Sequence, residues 1–483
     1  MPETGSVRAS LAWNYGAHLL VFAVTFGGLV VISRLLSPRE LGIFGVGMAI
    51  SGVLGTISYF GVANYLIRDE ALSEDTRAAC FTVNALMSLA VAAVLLLLGT
   101  MGAGLFSDSA VPEVLCLMAA VPVLGIVEMV PATLLTRAMR FGPVSLVQLG
   151  KAMVNAGVMV LLAFRGWSYL SPAFGAIAGA LYGAAAFAIA GRGLATYRFS
   201  LANWRKIAAF AAHMVTAGGV PIITARLSEL IVAQWLGLAA LGIYTRASQL
   251  AAMVWDGAYG LSTKVIYVHM AAELRKSGSL RETFLRATRL LTAVMWPAMS
   301  GIAVLAGPIV HHLYGPQWDA AAWPLALLMA AQCVLLGYAM MWELCVLRDR
   351  TAWQARMEST RAIAGLIAFA LGALVSLPVA AAGRIVDALV GYAIYRPKMP
   401  ELAGAGRDET RAAYAGNLAL AAVAVAPAAA VMAWHSWSFS APLWQLGLSV
   451  IAGGLAWLAA LALARHLLFE ELRLLLAPAR AAG

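Results

Sequence analysis

An all-α polytopic membrane protein of about 14 transmembrane helices is the fold class this sequence predicts, with two parallel six-helix lobes around a central cleft and two further C-terminal helices. Three observations carry the prediction: apolar stretches long enough to cross a bilayer, basic residues gathered in every second gap, and an internal repeat near an offset of 200 residues. Of the 483 residues, 62% are hydrophobic and 12% charged, against about 25% charged in soluble domains. That composition excludes a soluble enzyme or a soluble binding module.

In chain order the stretches cover residues 11–33, 42–66, 80–101, 112–136, 143–164, 172–191, 209–234, 239–263, 287–310, 320–345, 362–377, 378–395, 412–434 and 443–464. At about 1.5 Å per residue, most can span roughly 30 Å of hydrocarbon. The first follows a single Arg, Arg8, and is too long for a signal-peptide core, so it reads as a retained span. Most of the 33 Lys and Arg lie in the gaps after even-numbered spans and at the two ends, whereas the opposite gaps hold only Arg34, Arg39 and Arg165. Cytoplasmic loops carry the Lys/Arg excess, which places both termini in the cytoplasm. The same loops account for the net charge of +10, through orientation and anionic lipid and not through nucleic acid, which is not expected as a partner.

The gaps are short, and the longest, 264–286 and 396–411, fall on the basic side; none can house a soluble catalytic domain. The first of them, with Glu273, Arg275, Lys276, Arg281 and Glu282, reads as a charged amphipathic connector along the membrane surface. Cys80, Cys116, Cys333 and Cys345 sit in or at the start of spans without metal-ligand spacing, so buried free thiols are expected.

Leu36, Leu41, Gly42, Ile43 and Phe44 recur 200 residues later as Leu236, Leu241, Gly242, Ile243 and Tyr244. Further on, Leu117-Met118-Ala119-Ala120 recurs as Leu328-Met329-Ala330-Ala331, and Arg137 corresponds to Arg348. Six spans separate the copies, an even number, so both copies cross in the same sense about an axis along the membrane normal. The expected organisation is an N-lobe over 1–200, a C-lobe over 201–400, and spans 13 and 14 with a tail over 401–483. Gly175, Gly179 and Gly183 put small residues every four positions along span 6, a face for close helix packing. Gly218-Gly219 with Pro221 is expected to interrupt span 7, and Pro297 span 9.

Each ionisable group deep in the membrane costs about 2.5–3.5 kcal/mol on insertion scales, so it needs a partner or a cavity. The chain places Glu128, Lys151, Arg226, Glu229, Arg246, Asp256, Glu343, Arg384 and Asp387 within spans. Arg226 with Glu229 and Arg384 with Asp387 share a helical face at i,i+3, which local neutralisation explains. Glu128 and Lys151 match in depth and are expected to form an ion pair between spans 4 and 5. Glu343, near the end of span 10, is expected at the interface, within reach of headgroups or Arg348. Arg226, Arg246 and Arg384, joined by Lys151, form a candidate cationic cleft for a phosphate or diphosphate, because the planar guanidinium fork binds such oxyanions in bidentate fashion. Asp256, Glu128 and Asp387 are candidates for ion coupling; Asp256 is equally a counter-charge for Arg246. Asn14, His18 and Glu229 are candidates for sugar contact or gating, with Tyr15 beside them. His311, His312, Tyr314 and Trp318 are read as a membrane-boundary group, the aromatics as an interfacial belt.

The sequence has no Gly-x-x-x-x-Gly-Lys-Ser/Thr phosphate loop, no His-Glu-x-x-His and no Gly-x-Ser-x-Gly. Catalysis therefore has no visible seat, no cofactor or metal is expected, and a proton or sodium gradient stays open as a source of energy.

Four segments resemble the polysaccharide transporter (Wzx-type flippase) family of the multidrug/oligosaccharidyl-lipid/polysaccharide exporter superfamily. They are Arg34-Leu35-Leu36-Ser37-Pro38-Arg39-Glu40-Leu41-Gly42-Ile43-Phe44, Thr136-Arg137-Ala138-Met139-Arg140-Phe141, Gly166-Trp167-Ser168-Tyr169 and Leu241-Gly242-Ile243-Tyr244-Thr245-Arg246-Ala247. The resemblance implies a flippase of the bacterial inner membrane that moves an undecaprenyl-diphosphate-linked oligosaccharide outward by alternating access. It implies lipid-linked oligosaccharide and membrane lipids as partners, with a polysaccharide polymerase and a chain-length regulator beside them. Arg246 is the intramembrane Arg that falls within a matched motif, and Glu229 stands where the family often has Asp. A cation-coupled drug exporter of the same superfamily and a membrane-embedded polysaccharide polymerase or ligase remain the alternatives. The first calls for an acidic, aromatic cavity, the second for a sizeable outer loop.

Overall fold

The computed structural model describes residues 4–69, 72–104, 106, 108–194, 196–214 and 218–476, with the side chains of 4–15, 18, 57–60, 103, 213, 261, 264, 472 and 474–476 left aside. Among the described residues every regular element is helical. By contacts the chain divides into two compact units, Met1–Gly242 and Ile243–Gly483.

The first unit holds α1 (Thr4–Leu35), α2 (Pro38–Arg68), α3 (Glu74–Met101), α4 (Ala110–Met118), α5 (Ala120–Arg137), α6 (Phe141–Phe164), α7 (Leu170–Ala190), α8 (Trp204–Met214) and α9 (Val220–Leu236); α10 (Leu238–Trp255) begins there and runs into the second. Within it α6 packs on α1 and α7, α5 on α3 and α7, and α2 on α3, α8 and α9. Val62, Leu66, Cys80, Phe81, Met129 and Val130 form the apolar centre where α2, α3 and α5 meet.

The second unit continues with α11 (Leu261–Ser277), α12 (Arg281–Val304), α13 (Ala306–Tyr314), α14 (Ala322–Leu336), α15 (Met341–Leu347), α16 (Thr351–Ala373), α17 (Leu377–Tyr395), α18 (Met399–Ala403), α19 (Arg407–Trp434), α20 (Leu443–Leu463) and α21 (Leu467–Leu476). Here α16 and α17 form a hairpin, α14 lies against α17, α12 bridges α14 and α19, and α19 pairs with α20.

Ten of the fourteen sequence spans coincide with segments long and apolar enough to cross a membrane. The remaining four fall on α1, on α8 with α9, on α10 with α11, which a wide turn over Asp256–Gly260 divides, and on α16, which carries more charge. The chain is a multi-pass membrane protein. All four cysteines are free, Cys80 and Cys345 fully buried.

Three expectations are corrected. Pro297 does not interrupt span 9: it lies inside a continuous α12. Residues 264–286 are no separate surface connector, because α11 runs through them to Ser277, ends on Gly278 in the left-handed region (φ 71°), and α12 starts at Arg281. Span 11 begins earlier than its apolar run, since α16 starts at Thr351 and carries Glu358 and Arg361 inside the helix. Pro221 sits in the first turn of α9, just after Gly219, where its missing N–H was unpaired anyway.

The repeated Leu-Gly hairpins explain their own glycines. Ser37 caps α2 and Glu40 reaches back to the Ser37 backbone N–H, a reciprocal cap with Pro38 in the first turn. In the second copy the turn is made by Gly237 at φ 89°. The first turns of α2 and α10 cross backbone to backbone: a Cβ on Gly42 would lie 1.8 Å from the Leu238 carbonyl oxygen, and one on Gly242 1.9 Å from that of Pro38. Residues 38 and 238 obey the same 200-residue offset as the glycines. The contact is thus reciprocal, as a true duplication requires.

Candidate functional site

In the first unit two ion pairs share one design. Lys151 on α6 donates to both oxygens of Glu128 on α5, at 2.7 and 2.8 Å, so the expected interhelical pair is formed. Its room comes from α7, where a Cβ on Gly183 would lie 2.8 Å from Glu128 Oε2 and 3.1 Å from Lys151 Cδ. Arg226 donates to both oxygens of Glu229 at 2.9 Å on α9, with its guanidinium stem against Gly52 of α2. In each pair the carboxylate is buried (9% of its side chain exposed) and the cation about a third open (32%). A buried carboxylate thus holds each cation at an accessible surface of the unit.

The family-like segments latch together at one end of this unit. Ser168 donates to Glu40, Arg39 pairs with Asp108 at 2.6 Å, and Tyr169 donates to Glu113 at 2.9 Å. Near the opposite ends of the helices, Arg137 closes α5 by donating to the Leu66 carbonyl at 2.6 Å, while in the second unit its repeat counterpart Arg348 donates to that of Leu402 at 3.1 Å.

In the second unit Arg246 lies on α10 with only 6% of its surface exposed. It donates to Gln249 Oε1 at 2.9 Å, and its guanidinium carbon lies 6.0 Å from the centre of the Trp318 ring, about the limit of a cation–π contact. Its Nε is buried without a hydrogen-bond partner, as is the hydroxyl of neighbouring Tyr314. Among the described residues it has no carboxylate within ion-pair distance. Tyr314 and Trp318 are 1% and 0% exposed, so they are core and not the interfacial belt that the sequence suggested. The flanking histidines are engaged as well: His311 Nδ1 lies 2.9 Å from Asp319, and His312 Nε2 lies 3.0 Å from the Ala441 carbonyl. A boundary aromatic and a core aromatic look alike in sequence, and burial alone separates them.

The other membrane charges of this unit condense around Arg361. It bonds Asp387 on α17 at 2.8 Å and Glu358 on its own helix at 2.7 Å. Arg384 reaches Asp387 at 3.7 Å and lies over the Phe369 ring at 5.3 Å, while Tyr395 donates to Glu358 at 3.0 Å. Arg361 was missed because it precedes the apolar run by one residue and counts as a loop charge; its i,i+3 spacing with Glu358 is the signal that could have found it.

The sequence-selected residues therefore separate. Lys151 with Glu128, Arg226 with Glu229, and Arg384 with Asp387 are paired. Asp256 is exposed, in a wide turn over Asp256–Gly260, and makes no ion pair with Arg246. Glu343 is buried at 6% exposure, so it is not interfacial, and Arg348 is turned to Leu402. Asn14, Tyr15 and His18 lie on α1, but their side chains are among those left aside. Groups of three or more metal-ligating side chains are absent among the described residues.

With this geometry in view, comparison with known proteins places the chain. Residues 31–323 match the family described as polysaccharide biosynthesis protein. The chain belongs to that family. Among its relatives, the succinoglycan biosynthesis transport protein ExoT of Rhizobium meliloti (strain 1021) is 24% identical, with 67% of this chain and 66% of the relative covered. The lipopolysaccharide biosynthesis protein WzxC of Escherichia coli (strain K12) is 22% identical, with 64% and 63% covered. The match thus spans slightly less than two thirds of the relatives' own length. The fold is similar to that of the lipid II flippase MurJ in an inward closed conformation, with a TM-score of 0.69 at 13% identity over 94% of this chain and 99% of that one. It is also similar to an inward-facing multidrug resistance MATE family transporter of the MOP superfamily, with a TM-score of 0.61 at 12% identity over 79% and 94%. The family match contains the capped hairpin, the Glu128–Lys151 pair and Arg246 with Trp318; the Arg361 network and Glu343 lie beyond it.

Proposed function

We propose that this chain is a flippase that carries an undecaprenyl-diphosphate-linked oligosaccharide from the cytoplasmic to the outer leaflet of a bacterial inner membrane by alternating access. Arg246 carries the reading. A buried guanidinium without a counter-charge costs several kcal/mol, and that cost falls when an oxyanion docks. A diphosphate offers the planar, multiply charged acceptor that a free guanidinium edge matches. Lys151 and Arg226, each partly open beside a buried carboxylate, are secondary candidates for headgroup contact. Relatives named for transport in succinoglycan biosynthesis and for lipopolysaccharide biosynthesis support a lipid-linked glycan over a drug.

The test is reconstitution of the purified chain with fluorescently labelled lipid-linked oligosaccharide, scoring how fast the label becomes accessible from the opposite leaflet. Hydrogen bonds to charged groups contribute about 1.5–3 kcal/mol, so Arg246→Ala is expected to slow flipping by about tenfold or more. Arg246→Lys keeps the charge but loses the fork and is expected to fall between. Wild-type rates in both Arg246→Ala and Arg226→Ala would remove the cationic-site reading.

A further inference from the structure

Three of the four buried carboxylates selected from the sequence have a cation: Glu128 has Lys151, Glu229 has Arg226, and Asp387 has Arg361 and Arg384. Glu343, on α15, does not. It is 6% exposed, its Oε2 has no hydrogen-bond partner, and it makes no ion pair among the described residues. A carboxylate stripped of water and of counter-charge costs several kcal/mol, whereas the neutral acid needs one acceptor and one donor at most. A lone buried carboxyl therefore holds a proton.

Its surroundings give that proton a route. The charge of Glu343 is felt at Tyr259, whose hydroxyl is also buried without a hydrogen-bond partner. Tyr259 stands in the Asp256–Gly260 turn, where the helix widens to one extra residue per turn between α10 and α11. Such widenings are frequent at functional sites. Its neighbours Gly257, Ala258 and Ser262 line a cavity of about 1090 Å³ that also takes in His269 and Glu273 of α11 and Arg286 of α12. One side of this turn thus meets a space that admits water, and its central tyrosine carries a buried hydroxyl that feels the charge of Glu343. On the helices packed against α15, Glu358 is paired with Arg361 on α16, and Glu401 on α18 with Lys398 and Arg350. On its own helix end Arg348 is held by Leu402.

We propose that Glu343 is a proton-binding site, loaded from the cavity past Tyr259, and that its release and rebinding couple the conformational cycle to a proton gradient. The coupling rests on the transport reading above; the proton on Glu343 does not. In the conformation described here the site is loaded. A state that brings water or a cation to the carboxyl releases the proton, and return to the buried state requires one to be taken up again.

Two measurements on the full-length protein test this. In lipid nanodiscs at neutral pH, the infrared difference spectrum of wild type minus Glu343→Gln is expected to contain a protonated-carboxyl C=O band; an ionised-carboxylate band in its place overturns the proposal. In proteoliposomes carrying labelled lipid-linked oligosaccharide, an imposed pH gradient is expected to accelerate flipping by wild type several-fold and to leave Glu343→Gln at its gradient-free rate. Thermal unfolding of Glu343→Gln should match wild type, because glutamine reproduces the neutral acid. Tyr259→Phe is expected to keep the infrared band and weaken the response to the gradient. An equal gradient response in wild type and Glu343→Gln, or acceleration by a sodium gradient alone, overturns the coupling. Absence of flipping by wild type with the band present would remove transport and coupling while leaving the protonated carboxyl in place.

Discussion

Substituting Gly42 by alanine tests the crossing of the two repeated hairpins. A carbon and a carbonyl oxygen sit at about 3.3 Å or more even in the closest favourable contacts, and the new methyl would begin 1.8 Å from the Leu238 oxygen. The first turn of α10 has to retreat by the difference, about 1.5 Å, and since the obstacle is backbone no side chain can swing aside. Overpacking of this kind costs about 1–3 kcal/mol, and the upper end applies here. Alanine returns up to about 1 kcal/mol of helix propensity. A net loss of about 2 kcal/mol corresponds to a fall of about 4–8 °C in the apparent melting temperature of a unit this size. Gly242→Ala, 1.9 Å from the Pro38 oxygen, is expected to do the same. The double variant should lose far less than the sum, because helices already parted by one methyl accept the second. Gly454→Ala on α20, with nothing within 4 Å, is the control and should be neutral or slightly stabilising. The assay is thermal unfolding of the full chain in detergent. Wild-type melting of Gly42→Ala, or strict additivity in the double variant, would refute the backbone crossing.

Other predictions follow from the same contacts. Lys151→Met strands a buried carboxylate and is expected to cost about 2–4 kcal/mol, whereas Glu128→Gln strands an ammonium that is already 32% exposed and costs about 1; in a double-mutant cycle on melting temperature the combined variant should recover most of the larger loss. Ser37→Ala removes the reciprocal cap of α2, a loss of about 1 kcal/mol readable by the same melting assay. The Asp108 carboxylate is held below its usual range by the Ala110 backbone N–H and by Arg39. Its folded value lies below its unfolded one, so its contribution is present above the unfolded value of about 3.9 and is lost as pH falls through the folded one. Asp108→Asn should therefore melt slightly below wild type at neutral pH and together with it in acid, a small effect because Arg39 is 70% exposed.

Much of the architecture was legible because a bilayer imposes rules that leave traces along a chain. Apolar length and the alternation of basic gaps located the spans. The 200-residue offset located the duplicated hairpins, whose glycines the structure shows meeting at Pro38 and Leu238. The i,i+3 pairs and the matched depths of Glu128 and Lys151 were local or nearly local, so their ion pairs were readable as well. What failed depended on neighbours distant in sequence. Arg361 looked like a loop charge until α17 supplied Asp387, and Pro297 looked like a break until α12 ran through it. Tyr314 and Trp318 looked like an interfacial belt until burial put them in the core beside Arg246.

The sequence by itself thus determined that the chain crosses a membrane many times, which way its gaps divide by charge, and that its two copies run in the same sense. Hydrophobic length and charge bias act residue by residue, and a linear string records them. Only the tertiary structure decided which of the membrane charges are satisfied. Compensation is a matter of a few ångströms between helices, and there, among the described residues, Arg246 keeps a cation without a carboxylate while Glu343 keeps a carboxyl without a cation.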